Sequence, residues 1–277
     1  MSKGKSEALV KAAQPWIESL ARMGYLAKGV VYLMIGIMTA LFAFGKRSQP
    51  ADFSTVLLQI IHQPFGEIML GLLTIGLFGY GLWCFVQAFM DTEKKGNTVL
   101  GILIRFFYGV VGIMYCFIGW SALRLLMKVS RLVPGDRPEQ ELTATVFRTV
   151  PGARWLAVIV GLGLLGFCVN EIRRLYAQGY EILRPRGGKR IIDELAMRVG
   201  QIGITGRAIV LAIIGFSLIW SGITFDPAEV RGISGALREV QQQPHGIWLL
   251  TATAIGLFAY GAYMILLAWR RRIDPTE

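Results

Sequence analysis

The sequence predicts an all-α polytopic membrane protein: six transmembrane helices in three parallel two-helix repeats with approximate threefold pseudo-symmetry. Three observations carry this expectation. Hydrophobic residues make up 54% of the chain and charged residues 17%, with a mean hydropathy of +0.51, well outside the usual balance of a soluble domain. The apolar residues gather in six blocks, at 24–44, 65–90, 99–127, 155–169, 200–223 and 246–269, and a helix needs about 20 residues to cross a bilayer. Finally, QPFGEIMLGLLTIGLFGYG from Gln63 returns as QPHGIWLLTATAIGLFAYG from Gln243. Proline, glycine and aromatics recurring in fixed order mark an internal duplication.

The remaining blocks fit the same period. Pro64, Gly76, Tyr80 and Trp83 return as Pro244, Gly256, Tyr260 and Tyr263, and in a more diverged middle copy as Pro151, Gly163, Phe167 and Asn170. Arg22, Tyr25, Gly29, Tyr32 and Gly36 return as Arg105, Tyr108, Gly112, Tyr115 and Gly119, while the third copy keeps Gly24, Lys28 and Gly36 as Gly203, Arg207 and Gly215. One membrane domain, 1–277, thus divides into repeats at 16–92, 97–178 and 191–272. Each unit holds an even number of spans, so all three enter from the same side, and parallel repeats are related about an axis along the membrane normal. A ring of three hairpins is the expected arrangement and a linear array the alternative.

The elements follow in order. The first 23 residues carry Lys3, Lys5, Lys11 and Arg22 and no long apolar run, so the first span itself is expected to act as the insertion signal. Within each repeat a connection carries a short apolar pattern, Leu57 and Ile60, Ala144 and Phe147, or Leu237 and Val240. That spacing predicts a short amphipathic helix lying at the outer surface, ended by Pro64, Pro151 or Pro244, which also starts the next span. The fourth block has an uncharged core of 155–169 only, so crossing must draw in Arg154 at one end or Asn170 and Glu171 at the other. Gly161, Gly163 and Gly166 lower its helical preference further. More of the 29 Lys and Arg residues fall on the side of the termini than on the other, which places both termini in the cytoplasm.

The pattern GY-x-x-[KR]-G-V-V-Y at residues 24–32, a connection ending LLQIIHQPFG or ALREVQQQPHG, and a second span with GLFGYG or GLFAYG resemble an uncharacterised bacterial family, domain of unknown function twelve-oh-six. The likeness covers about residues 16–269. It implies three tandem two-helix repeats in the bacterial cytoplasmic (inner) membrane, and no activity.

Tyr25, Gly29, Tyr32 and Gly36 share one helical face, as do Gly76, Tyr80, Trp83 and Gln87. Together with Tyr108, Gly112, Tyr115, Gly119, Gly256 and Tyr260 they read as helix-packing surfaces, since small residues let membrane helices approach closely. The third copy carries Ile204, Ala208 and Leu211 in place of Tyr25, Gly29 and Tyr32, a change that packing tolerates better than a polar pore wall would. Charges in apolar blocks are the candidate binding residues. Lys28, Arg105 and Arg207 near the starts of odd-numbered spans either snorkel to headgroups or form an inner basic ring for an anion or lipid. Arg105 stands in register with Arg22, whereas Arg207 stands in register with Lys28. Asn170 and Glu171 either sit at the cytoplasmic interface or supply polar contacts for a solute. Arg184, Arg186, Lys189 and Arg190 read as a topological determinant or an anionic-lipid contact.

No catalytic constellation is legible. Cys84, Cys116 and Cys168 lie in apolar blocks as small fillers. His62 and His245 have no HExxH, CxxC or carboxylate cluster beside them, so no metal or other cofactor is expected. Neither an enzyme nor a nucleic-acid binder is indicated. The expected partners are membrane lipids, including anionic headgroups at the cytoplasmic face, and a larger membrane complex. Permeation or transport of a small solute or ion along the repeat interface is the leading expectation, and a non-catalytic accessory, scaffolding or lipid-binding subunit is the alternative.

Overall fold

The computed structural model describes residues 3–90, 99–128, 144, 146–149, 152–178 and 190–270. In chain order these form α1 (Lys3–Ala43), α2 (Phe53–Ile61), α3 (Gly66–Met90), α4 (Val99–Leu126), α5 (Ala153–Gln178), α6 (Arg190–Thr224), a 3₁₀ turn (Pro227–Glu229), α7 (Ile233–Gln242) and α8 (Gly246–Arg270). No strand occurs among the described residues. Helices α1, α3, α4, α5, α6 and α8 are each long and apolar enough to cross a membrane. The protein is therefore a multi-pass integral membrane protein. The six crossings return the chain to its starting side, here the termini face; the opposite side, where each repeat turns, is the hairpin face.

Contacts between neighbours give the spans a cyclic order: α1, α3, α4, α5, α6, α8 and back to α1. The first span of each repeat packs on the second span of the repeat before it, α4 on α3 and α6 on α5, and α1 packs on α8 in the most extensive contact of all. A linear array would have left α1 and α8 apart. Glycines set these approaches. A Cβ at Gly261 would lie 2.7 Å from the Gly29 carbonyl oxygen, and one at Gly112 would lie 3.1 Å from that of Gly81. These two pairs stand at matching repeat positions in the α8–α1 and α3–α4 interfaces. In α5–α6 the matching residues are Cys168 and Ala208, which hold the backbones further apart. There the close approach moves two turns along both helices to Gly161 and Gly215, where a Cβ on Gly161 would lie 2.6 Å from the Gly215 carbonyl oxygen. The α5–α6 pair is thus pinched toward the hairpin face.

Within repeats the same logic holds for the first and third copies. Gly24 abuts the Tyr80 backbone and Gly203 the Tyr260 backbone; Gly76 abuts Ala27 and Gly256 abuts Gly206. The middle copy departs from equivalence. Phe107 occupies the place of Gly24 and Gly203, and its ring lies directly over Gly163. The wedge holds α4 and α5 nearly out of contact.

Helix α2 corrects the expectation of amphipathic helices resting on a surface. Helix α2, FSTVLLQII, has almost no polar side to present to headgroups. It instead drives Val56, Leu57 and Ile60 into the core at 0–2% exposure, while Phe53 packs edge-on against Tyr32 and Tyr115. Asp52 caps it, accepting hydrogen bonds from the Thr55 amide and hydroxyl at 2.8 and 2.7 Å. Helix α7, ISGALREVQQ, is amphipathic as expected and buries only Ala236, Leu237 and Val240, and Arg238 donates a hydrogen bond to Gln49, joining third repeat to first. Residues 144 and 146–149 are helical, and Phe147 stacks on Phe225.

All three connections enter the following span through a left-handed residue: Phe65 (φ 60°), Gly152 (φ 76°) and His245 (φ 62°). After Phe65 and His245 the chain doubles back so tightly that a Cβ on Gly66 would lie 2.4 Å from the Ile60 carbonyl oxygen, and one on Gly246 would collide with the Gln241 carbonyl. Gly66→Ala is therefore expected to cost about 2 kcal/mol or more, read as a lowered thermal midpoint in detergent. Phe65→Gly, which relieves left-handed strain at an exposed side chain, is expected to leave the midpoint unchanged or raise it.

Candidate functional site

Helix α1 places Tyr25, Lys28 and Tyr32 on one face. That face turns into the ring: Tyr25, Lys28 and Tyr32 are exposed by only 4%, 2% and 4%. The apolar span begins at Arg22, so Lys28 sits about 9 Å inside it at the helical rise. Snorkelling is ruled out by its direction. The ammonium donates a hydrogen bond to the Tyr80 hydroxyl at 2.7 Å and lies 4.3 Å from the Tyr80 ring centre. The rings of Tyr115 and Tyr260 are each 5.3 Å away. These aromatics hold one another edge-on, with ring centres 4.6 Å apart for Tyr80–Tyr115, 4.8 Å for Tyr32–Tyr260 and 5.6 Å for Tyr25–Tyr80, a geometry that suits their quadrupoles. Cation–π attraction then offsets part of the cost of burying the ammonium.

Arg207, in register with Lys28 on α6, also turns inward. Its Nη1 donates to both carboxylate oxygens of Glu171 on α5, at 3.0 and 2.8 Å. Its guanidinium lies 4.8 Å from the Tyr260 ring centre and 5.9 Å from that of Phe167. Tyr260 thus lies against both cations. Each repeat supplies one charge to this cluster: Lys28 from the first, Glu171 from the second, Arg207 from the third. The pair is enclosed, with side chains exposed by 7% for Arg207 and 23% for Glu171. In such surroundings a carboxylate and a guanidinium are retained only when well matched, as they are here. Arg207 Nε and the indole N–H of Trp83, one turn along α3 from Tyr80, are buried without a hydrogen-bond partner among the described residues.

Arg105 does not join the cluster, so the basic ring expected from three converging residues is replaced by a pair. Its Nε donates to the Ala88 carbonyl at 2.8 Å and its Nη2 to that of Phe89 at 3.0 Å, capping the end of α3. Arg22 does the same to the end of α8, donating to the Ala268 and Trp269 carbonyls at 3.1 and 3.4 Å. Both clamps run from one repeat to the repeat before it, satisfying terminal carbonyls and complementing the helix dipole. Asn170, beside Glu171, is half-buried and takes no part in the cluster. Arg184, Arg186 and Lys189 lie outside the described residues, and Arg190 begins α6.

The fourth span meets its length requirement by including both flanking charges, running from Ala153 to Arg173. Arg154 lies against the Trp155 ring, 5.0 Å away, and Glu171 is spent on Arg207. The tyrosines read from the sequence as packing residues are also the walls of the charge cluster. The signal for that second role was the placement of Tyr25 and Tyr32 on the same face of α1 as Lys28. Among the described residues no group of His, Cys, Asp and Glu could hold a metal ion, and Cys84, Cys116 and Cys168 are free thiols.

The family model described as Domain of Unknown Function (DUF1206) matches the chain three times, over residues 23–91, 106–174 and 202–271. The chain belongs to this family. The three matches begin at offsets of 83 and 179, the same offsets that relate Arg22 to Arg105 and Lys28 to Arg207. An uncharacterised protein, YxxB, of Bacillus subtilis (strain 168) is similar along nearly the whole length, 33% identical over 268 residues that make up 96% of this chain and 94% of that protein. No solved structure matches. The family therefore supplies the repeat architecture, and the chemistry has to be read from the cluster.

Proposed function

We propose that the protein passes a small solute or ion across a bacterial inner membrane through the centre of the hairpin ring, with both termini in the cytoplasm and no catalytic step. The observation that supports this reading is the enclosed cluster of Lys28, Glu171 and Arg207. Buried charges in a membrane span cost several kcal/mol when unmatched and mark solute pathways more often than scaffolds. Parallel repeats commonly frame such a path where they meet. The apolar residues of α2 and α7 pack into the core from the hairpin face, and in this reading they close the path. Opening then requires Leu57 and Leu237, which stand at matching positions, to withdraw.

Purified protein in proteoliposomes, challenged with a panel of ions and small metabolites, tests this. Flux of at least one solute, increased by Leu57→Ala combined with Leu237→Ala, is expected. Folded, inserted protein that passes nothing, even with both leucines cut back, would end the proposal. Reporters fused at Lys94 and Gly188 check the orientation and should both be cytoplasmic.

A second reading, an accessory subunit of a membrane complex, is favoured by one observation. Spans α4 and α5 are the least covered of the six, and their outward faces carry Phe106, Phe117, Trp120 and Trp155. Recovery of a stoichiometric partner after purification in mild detergent would support it.

A further inference from the structure

The cluster carries an imbalance of charge that narrows what it can hold. Among the described residues two buried cations, Lys28 and Arg207, face one carboxylate, Glu171. Glu171 is consumed by Arg207: both of its oxygens accept from Nη1. Lys28 has a neutral hydroxyl and three ring faces around it. Cation–π contacts offset only part of the desolvation of an ammonium this deep. Arg207 meanwhile directs a buried Nε that no acceptor among the described residues meets, and orphaned donors of this kind are rare in a finished core. Both cations lie against one ring, with Lys28 Nζ 5.3 Å and Arg207 Cζ 4.8 Å from the Tyr260 centre, and an enclosure bounded by Tyr260 would take in the free donors of both. Its remaining walls are the aromatic residues Tyr80, Tyr115 and Phe167.

We propose that this enclosure is a binding site for one compact oxyanion, a carboxylate or inorganic oxyanion, held by the Lys28 ammonium and the Arg207 Nε. Such a ligand would balance the second cation and accept from both unfilled donors. A charge-assisted acceptor is the partner that each donor lacks. Glu171 then acts as a fixed internal counter-ion that sets the site's affinity by leaving one net positive charge. The aromatic walls exclude larger hydrated ligands, and the enclosure favours a free anion over the headgroup of a lipid. This deepens the permeation reading and rests on it for the identity of the transported species, but the site can be tested without transport.

The test is thermal unfolding of the full chain in neutral detergent, titrated with formate, nitrate or phosphate as sodium salts at constant ionic strength. A parallel arm uses nanodiscs with and without phosphatidylglycerol. The expected result is a saturable rise in the midpoint with at least one soluble oxyanion. Lys28→Met is expected to fold, to match or exceed the parent's midpoint without ligand because a buried charge is gone, and to bind that anion at least about tenfold more weakly, or 1.4 kcal/mol. An anion response unchanged by Lys28→Met would overturn the proposal, as would the absence of any saturable response to the three soluble anions. A rise that appears only with phosphatidylglycerol would overturn it in favour of a lipid site. Anion binding without flux leaves the site standing and removes the permeation reading. Flux of an uncharged solute without anion binding does the reverse.

Discussion

Glu171→Ala is expected to lower the stability of the folded protein by about 3–5 kcal/mol, among the largest effects of any single substitution outside the glycine contacts. The reason lies in what remains. Arg207 keeps its place against Tyr260 and Phe167 with its side chain only 7% exposed, and without the carboxylate its charge is left unmatched. Removing both members should recover most of the loss, because Glu171→Leu with Arg207→Met fills similar volume with apolar groups that need no partner. Thermal midpoints of the parent, both single variants and the double variant in one detergent form the cycle. A coupling energy near zero would mean that the two side chains do not meet as described.

The second large effect concerns the close helix crossings. Gly261→Leu puts a side chain where a Cβ alone would lie 2.5 Å from the Leu33 amide nitrogen and 2.7 Å from the Gly29 carbonyl oxygen. Both obstacles are backbone, so no rotamer change makes room, and α1 must move away from α8. The ring should open between the first and third repeats, with loss of the monodisperse folded species in detergent. Gly166→Leu is the matched control on α5, since nothing lies within 4 Å of a Cβ there. It should change the midpoint little. Equal damage from both substitutions would show that the cost arises from helix propensity or insertion and not from the crossing.

Much of the fold was legible because duplication writes the same constraint three times. The register that placed Arg105 with Arg22 and Arg207 with Lys28 already separates the interface clamps from the buried cations, and the structure sorts them along that line. The glycine and tyrosine faces were legible for the same reason: a backbone crossing tolerates only small residues wherever the repeat recurs. What escaped was partnership across repeats. Nothing in the local sequence joins Glu171 to Arg207, since the acid appears only in the middle copy, where the first has Cys84 and the third Met264. Phe107 carried a readable signal, a bulky ring in the place held by Gly24 and Gly203, and it foretells the parted α4 and α5. Helix α2 carried one as well. A segment with no polar face cannot rest in headgroups and has to be buried.

The arrangement that brings three separate repeats to one charge cluster is a closed ring, and closure joins the first span to the last. Tyr32 and Tyr260, ring centres 4.8 Å apart, span that junction, and Tyr115 and Tyr80, 4.6 Å apart, span the matching junction between the first two repeats. In a variant lacking the three native cysteines, each pair is replaced by cysteines and treated with the same short bifunctional thiol reagent. Bridging of both pairs within one chain, detected by mass spectrometry of the digest, is the expected result. Bridging at positions 80 and 115 with none at 32 and 260 would contradict it, because only a linear row of hairpins keeps the first junction and lacks the second.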